Sequence, residues 1–231
     1  MLGLATGITN TSYQWQPSFV SSAKLKLWLR NGVGVTVAQW DDSSNNANHA
    51  TQGTSGNQAT VSGGGLEFDG SDDHYDIDDV VISDQEAYMI FVVVNPDNVS
   101  QRTILSEGAT SDFIELMTTK KIRVRHDNDT AISATFGTAQ FPVDEKYVLG
   151  IQREAGSTGN INIYKDGSLL TPTSQVADSG PITFNSLSVR NNDRFFDGHI
   201  YEMLVYETAD LTTSEINKIN NYLINKHSPL G

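Results

Sequence analysis

The sequence contains no cysteine, so neither a disulfide framework nor a thiolate metal site can be built from it. Cations are scarce. Fifteen Lys and Arg face 28 Asp and Glu, a formal net charge of −13, which argues against duplex nucleic acid or an anionic membrane as partner. No apolar run approaches the roughly 20 residues that span a bilayer. The longest, YMIFVVV at 88–94, has the length of a buried strand. The five histidines show no metal-ligand spacing, and no nucleophile elbow, phosphate loop or dinucleotide-binding glycine motif is present. The opening stretch MLGLATGITNTSYQWQP lacks the basic and apolar regions of a secretory signal. Synthesis in a cytoplasm without a signal peptide is the expectation.

What is present points to one large all-β unit. The 231 residues are 38% hydrophobic and 19% charged, a globular composition long enough for a sizeable core. From Lys24 onward, short β-rich segments alternate with turn clusters. They fall at 24–29, 58–61, 66–68, 74–77, 88–95, 102–106, 113–118, 121–126, 131–136, 146–152, 160–165, 187–190 and 198–206. KIRVRHD puts Ile122 and Val124 on one face and Lys121, Arg123 and Arg125 on the other. KDG at 165–167 is a hairpin signal. With no interleaved helices, such a series predicts a sandwich or barrel. A single helix is expected at the end, where LTTSEINKINNYLINKH offers Thr212 and Glu215 as a capping box and an apolar stripe of Ile216, Ile219 and Leu223. That stripe suits a lid over one end of the sandwich.

Four stretches carry candidate chemistry. QWDDSSNNANHATQ at 39–52 is rich in residues that bond nearby backbone, and reads as a structural turn anchored by Trp40. LEFDGSDDHYDIDD is the densest acidic stretch. Asp72 and Asp73 are its candidate metal ligands, with calcium as the ion their oxygens suit. Its Glu67 and Asp69 share a strand face, but Gly70–Ser71 breaks the strand before Asp72, against the rigid carboxyl pair of a retaining glycosidase. In VRNNDRFFDGH, amides, a carboxylate and a guanidinium lie beside two phenylalanines; Asn191, Asn192, Asp193 and Arg194 are the candidate ligand-binding residues. Residues 1–23 read as an extended arm preceding a domain at 24–231. Its spaced Leu2, Leu4, Ile8, Tyr13, Trp15 and Phe19 suit assembly on a neighbouring subunit.

These motifs also carry a resemblance. LKLWLR, VAQWDDSSNNANHATQ and GGGLEFDGSDDHYDI, followed by RFFDGHIYEMLVYETADLTTSEINKINNYLINKH, resemble the laminin-G-like branch of the concanavalin A-like lectin/glucanase superfamily across about residues 24–228. The resemblance implies a jelly-roll sandwich of two curved antiparallel sheets with a C-terminal α-helix. Superfamily membership leaves function open, because this fold hosts lectins, enzymes and structural modules. The opening MLGLATGI is similar to the starts of bacteriophage structural proteins. The first expectation is therefore a non-enzymatic virion protein, a capsid decoration, fibre or tail-associated subunit displaying a lectin-like module for surface glycans. Its partners would be other virion proteins or copies of itself, with no nucleic acid and no membrane span, and its location the virion after synthesis in a host cytoplasm. The alternatives are a free carbohydrate-binding module or lectin and, third, a glycosidase of the same superfamily.

Overall fold

The computed structural model describes residues 15–20, 25–83, 86–108, 112–126, 132–156, 161–175, 180–207 and 211–230. Among them the strands, in chain order, are β1 Leu25–Leu29, β2 Gln39–Trp40, β3 Ala50–Thr51, β4 Thr60–Ser62, β5 Gly65–Asp69, β6 Tyr75–Ile82, β7 Tyr88–Pro96 and β8 Arg102–Ser106. They continue as β9 Phe113–Thr118, β10 Lys121–Arg125, β11 Ile132–Thr135, β12 Tyr147–Arg153, β13 Ile161–Lys165, β14 Ser168–Leu169, β15 Ile182–Leu187 and β16 Asp197–Glu207. One helix, α1, runs Thr213–His227. All pairings are antiparallel, in two sheets. The first sheet has the order β14-β13-β12-β7-β16-β5-β4, with β1 also on β16; the second has the order β11-β10-β9-β8-β15-β6-β3-β2. The expected all-β sandwich with a C-terminal helix is the observed fold.

The central strand β7 shows why this sequence has no polar alternation there. Tyr88, Ile90, Val92 and Val94 enter the core between the sheets. Met89, Phe91 and Val93 enter a second core on the outer face of the first sheet, where Ile216, Ile219 and Leu223 of α1 cover them. A strand buried on both faces reads as a continuous apolar run. The helix therefore lies across a sheet face and does not close an end of the sandwich. Thr212 and Glu215 form its capping box, with Glu215 N donating to Thr212 Oγ1 and Thr212 N to Glu215 Oε2.

β16 serves two partners on one edge. Its first half pairs with β5, Asp197 opposite Asp69 through Ile200 opposite Leu66, and its second half pairs with β1. Between them the register against β7 shifts at Ile200/Glu202. Strict alternation would place Glu202 on the same side as Ile200, inside the sandwich; the bulge turns it toward α1. A similar shift between Leu25 and Leu27 puts Leu25 beside Trp28 in the outer core, where strict alternation would group it with Leu27 and Leu29. The strand expected at 187–190 lies earlier, at Ile182–Leu187, because Ser188 takes a left-handed φ of 74° and ends it.

The loop at 39–52 is a clamp on β1. Asp42 accepts from the Trp28, Ser44 and Asn48 backbone N–H groups at 2.8, 2.8 and 3.0 Å, while Asn46 and Asn48 donate to the Lys26 carbonyl. Asn45 and Ala47 adopt positive φ in the same turn. Of the arm residues, Leu2, Leu4, Ile8 and Tyr13 lie outside the described residues. Trp15 packs edge-on against Tyr222 of α1 at 6.2 Å, Val20 is buried in the outer core, and Phe19 is 53% exposed.

At one end of the first sheet the buried Arg153 guanidinium donates to the Glu86, Ser83 and Gly180 carbonyls and lies over the Tyr88 ring. His126, fully buried, shares a hydrogen bond of 3.0 Å between its Nε2 and the Tyr88 hydroxyl. Desolvation, reinforced by the Arg153 charge, lowers its pKa to about 3. The unfolded chain would protonate this histidine below about 6.5 while the folded chain does not, so stability falls as pH drops. Wild type should lose more thermal stability between pH 7 and pH 5 than His126→Gln; identical losses would refute the assignment. The outer core is tested independently. Ile219→Ala should lower stability by about 2–5 kcal/mol, as for other buried aliphatic truncations, and an unchanged melting temperature would refute the packing.

Candidate functional site

Two of the sequence-level candidate stretches meet at one end of the sandwich. β5 ends at Asp69, and the chain turns through Gly70 at φ 74°, where a Cβ would strike the Asp197 side chain. Asp73 is nearly buried and accepts from Asp69 N at 3.0 Å, while its own carbonyl accepts from the Ser188 hydroxyl at 2.9 Å. The His74 and Phe195 rings lie 6.0 Å apart, and Arg102 donates to the carbonyls of both Gly70 and Phe195. The loop carrying Asp72 and Asp73 is thus stitched to the loop carrying Asn191–Arg194. Asp69, Asp72 and Asp73 each place a carboxylate oxygen within 4.8 Å of the others. Burial raises the Asp73 pKa, its hydrogen bond from Asp69 opposes this, and the neighbouring Asp69 and Asp72 charges add to the rise. These are hard oxygen donors, the set a calcium ion takes.

The candidate ligand-binding residues form a tight turn in which Arg190 and Asp193 exchange two backbone hydrogen bonds of 3.1 and 3.0 Å. Asn191, Asn192 and Arg194 all have positive φ, between 52° and 57°. Asn191, Asn192 and Asp193 stand exposed at the tip. Arg194 points the other way, onto the outer face of the second sheet, where it meets residues the sequence reading left aside. There Glu115, completely buried, receives Arg123 Nη2 at 2.6 Å, Arg190 Nη1 at 2.6 Å and Arg194 Nη1 at 3.3 Å. Phe113 lies beneath them, with the Arg190 and Arg123 guanidinium carbons 4.0 and 5.0 Å from its ring centre. The signal for this cluster was hairpin register. β9 and β10 pair Glu115 with Arg123 and Phe113 with Arg125, and alternation puts all four on the face opposite Ile114, Leu116, Ile122 and Val124.

On the opposite face of the sandwich, the 15–16 segment and α1 enclose a groove of about 650 Å³. It is lined by Trp15, Gln16, Arg30, Lys218, Asn221, Tyr222, Asn225 and Lys226. Tyr222 stands at its centre, edge-on to both Trp15 and Trp28 at 6.2 and 6.5 Å. Burial, with the Glu202 charge behind the ring, pushes the Tyr222 hydroxyl up to about 12, so it stays a neutral donor and acceptor. Lys218, Asn221 and Asn225 recur at helical spacing on the exposed side of α1, and Tyr222 stands at its border, packed partly against the outer core. That spacing was visible in the sequence, but only a packed Trp15 makes a wall opposite it.

No protein-family model matches the sequence, and no curated protein matches it. Solved structures do match in fold. Domain 4 of AbnA, a GH43 extracellular arabinanase from Geobacillus stearothermophilus, solved in complex with arabinotriose, aligns with TM-score 0.56 and 17% identity over 85% of this chain and 98% of that one. The Botulinum neurotoxin serotype D ligand-binding domain, in complex with N-acetylneuraminic acid, aligns with TM-score 0.59 and 13% identity over 90% of this chain and 53% of that one. Trypanosoma rangeli sialidase in complex with sialic acid aligns with TM-score 0.53 and 16% identity over 86% of this chain but 33% of its own. The chain therefore spans a third of the sialidase and about half of the neurotoxin domain.

These matches correct the expectation of a non-enzymatic protein. A domain of an arabinanase and one third of a sialidase share this fold, so the sandwich gives no ground for setting hydrolysis aside. The physical reason is that the sandwich is a scaffold, and chemistry resides in side chains placed on its loops and faces. The arginine cluster yields its own test. Glu115→Ala should cost about 1–3 kcal/mol, because three partly buried guanidiniums lose the carboxylate they share; a melt within a degree of wild type would show that the pairing adds nothing.

Proposed function

We propose that the chain is a carbohydrate-binding module whose sugar site is the groove between the 15–16 segment and α1. The lining of that groove carries the reading. Trp15 and Tyr222 supply faces for the C–H side of a pyranose or furanose ring. Gln16, Asn221 and Asn225 supply amides that both donate to and accept from hydroxyls. A concave site mixing aromatic surface with a few placed polar groups is the usual form of a small-ligand pocket. The sugar ligands of the arabinanase domain and the neurotoxin binding domain support this reading. The virion setting and virion partners expected from the sequence draw no support from the comparisons; the alternative named beside them, a carbohydrate-binding module or lectin, is the reading that the neighbours support.

An array of neutral and acidic glycans should identify at least one bound saccharide. Trp15→Ala and Tyr222→Ala should each then weaken its binding about tenfold, the loss typical of truncating a central aromatic contact, with unchanged circular dichroism. Release of reducing ends, assayed on the same saccharides, tests for hydrolysis in parallel. Failure to retain any glycan, or full affinity in both variants, would sink the reading.

A further inference from the structure

The arginine cluster on the second sheet lies on the opposite side of the sandwich from the groove, and its charges do not balance. Arg123, Arg190 and Arg194 converge on one carboxylate, Glu115, so that among the described residues three guanidiniums share a single buried counter-charge. In a chain with only 15 basic residues against 28 acidic ones, this is a strong local reversal of sign. The Arg190 pKa is lowered, by burial first and then, against the pull of Glu115, by Arg194, Arg123 and Arg125. Crowded like charges of this kind are relieved by an incoming anion.

Hydrogen bonding points the same way. The Nε atoms of Arg123 and Arg190 are buried and have no hydrogen-bond partner. A buried N–H without an acceptor is rare in folded proteins because its desolvation is not compensated. Those two Nε atoms are themselves closed to a ligand, and contact falls to the rest of the side chains, with Arg190, Arg123 and Arg194 11%, 23% and 28% exposed. The Phe113 ring and the Glu115 contacts hold the guanidiniums in place, so little side-chain entropy is left to lose on binding.

We propose that Arg123, Arg190 and Arg194 form a second binding site, for an oxyanion borne by a saccharide: the carboxylate of an acidic sugar or the sulfate ester of a sulfated one. That the oxyanion rides on a saccharide rests on the glycan-binding reading; that an oxyanion is held here does not. Guanidinium forks match both groups in geometry, and the bond is charge-assisted.

Calorimetric titration of the full chain with inorganic sulfate, a galacturonate trisaccharide, a sulfated dextran oligosaccharide and a neutral dextran oligosaccharide of equal length tests this. At least one charged titrant should bind, more weakly as salt rises, and the neutral one should not compete for the same site. The stronger of the carboxylate and sulfate arms identifies the group; binding of inorganic sulfate alone upholds the anion site and removes the saccharide. Arg194→Gln, at the longest of the three ion pairs, should keep the fold and weaken binding about tenfold, the loss of one charge-assisted bond. Arg194→Lys should recover part of that loss, since it keeps the charge without the fork. Tyr222→Ala should leave this affinity unchanged, which separates failure here from failure of the groove. No binding of any charged titrant, or equal affinity in wild type and Arg194→Gln, would overturn the proposal.

Discussion

The Glu202 carboxylate, completely buried, is the point at which three parts of the molecule are joined. It accepts from Trp28 Nε1 at 2.8 Å, from His227 Nε2 at 2.7 Å and from Lys226 Nζ at 2.7 Å. β16, β1 and the last turn of α1 thereby share one charge. Burial alone would raise the Glu202 pKa, but the His227 hydrogen bond, the Lys226 charge and the Trp28 N–H together hold it below the ordinary carboxylate range. A buried carboxylate stripped of such partners costs several kcal/mol. The arrangement exists because the β16 bulge turns this one side chain outward. The groove depends on it in turn, since Lys226 lines the groove and α1 forms one wall.

Glu115 repeats the device on the other side of the sandwich with a different outcome. Around Glu202 the donors are one ammonium, one imidazole and one indole, and the carboxylate is matched. Around Glu115 three guanidiniums crowd a single carboxylate, and two of them keep a buried N–H without an acceptor. The first arrangement is closed on itself. The second is left asking for another anion, and the distinction comes from counting donors and charges, not from burial, which is complete for both carboxylates.

Most strand positions along the chain, the capping box and the doubly buried β7 were legible in the sequence because each rests on local periodicity or on a short-range cap. The 102–106 and 113–118 strands coincide with β8 and β9. What escaped local reading depends on events that periodicity does not encode. The bulges at Leu25/Leu27 and Ile200/Glu202 each reset the alternation by one residue, which moved Leu25 between cores and aimed Glu202 at the helix. β2, β3 and β14, two residues each, are too short to show any period. The two acidic and amide-rich loops were singled out for composition alone, and nothing in either hinted that His74 and Phe195 would bring them side by side. The Glu115 cluster joins residues from β9, β10 and a turn some 75 positions away; each arginine, taken singly, reads as an ordinary solvated charge.

The edge of β16 shared by β5 and β1 has a consequence for how the chain reaches this structure. Trp28 and Glu202, hydrogen-bonded in the folded state, are 174 positions apart. β1 therefore precedes by most of the chain's length the strand whose edge it completes. Long-range pairings of this kind slow folding, because loop closure must precede the contacts that reward it. An apolar strand left waiting is also a template for the wrong neighbour. The clamp at 39–52 is the local counterpart of that distant pairing. Asp42, Asn46 and Asn48 occupy backbone groups of β1 at Leu25, Lys26 and Trp28 from within about 20 residues, so part of the strand's backbone is satisfied by contacts far shorter in sequence than its ladder with β16.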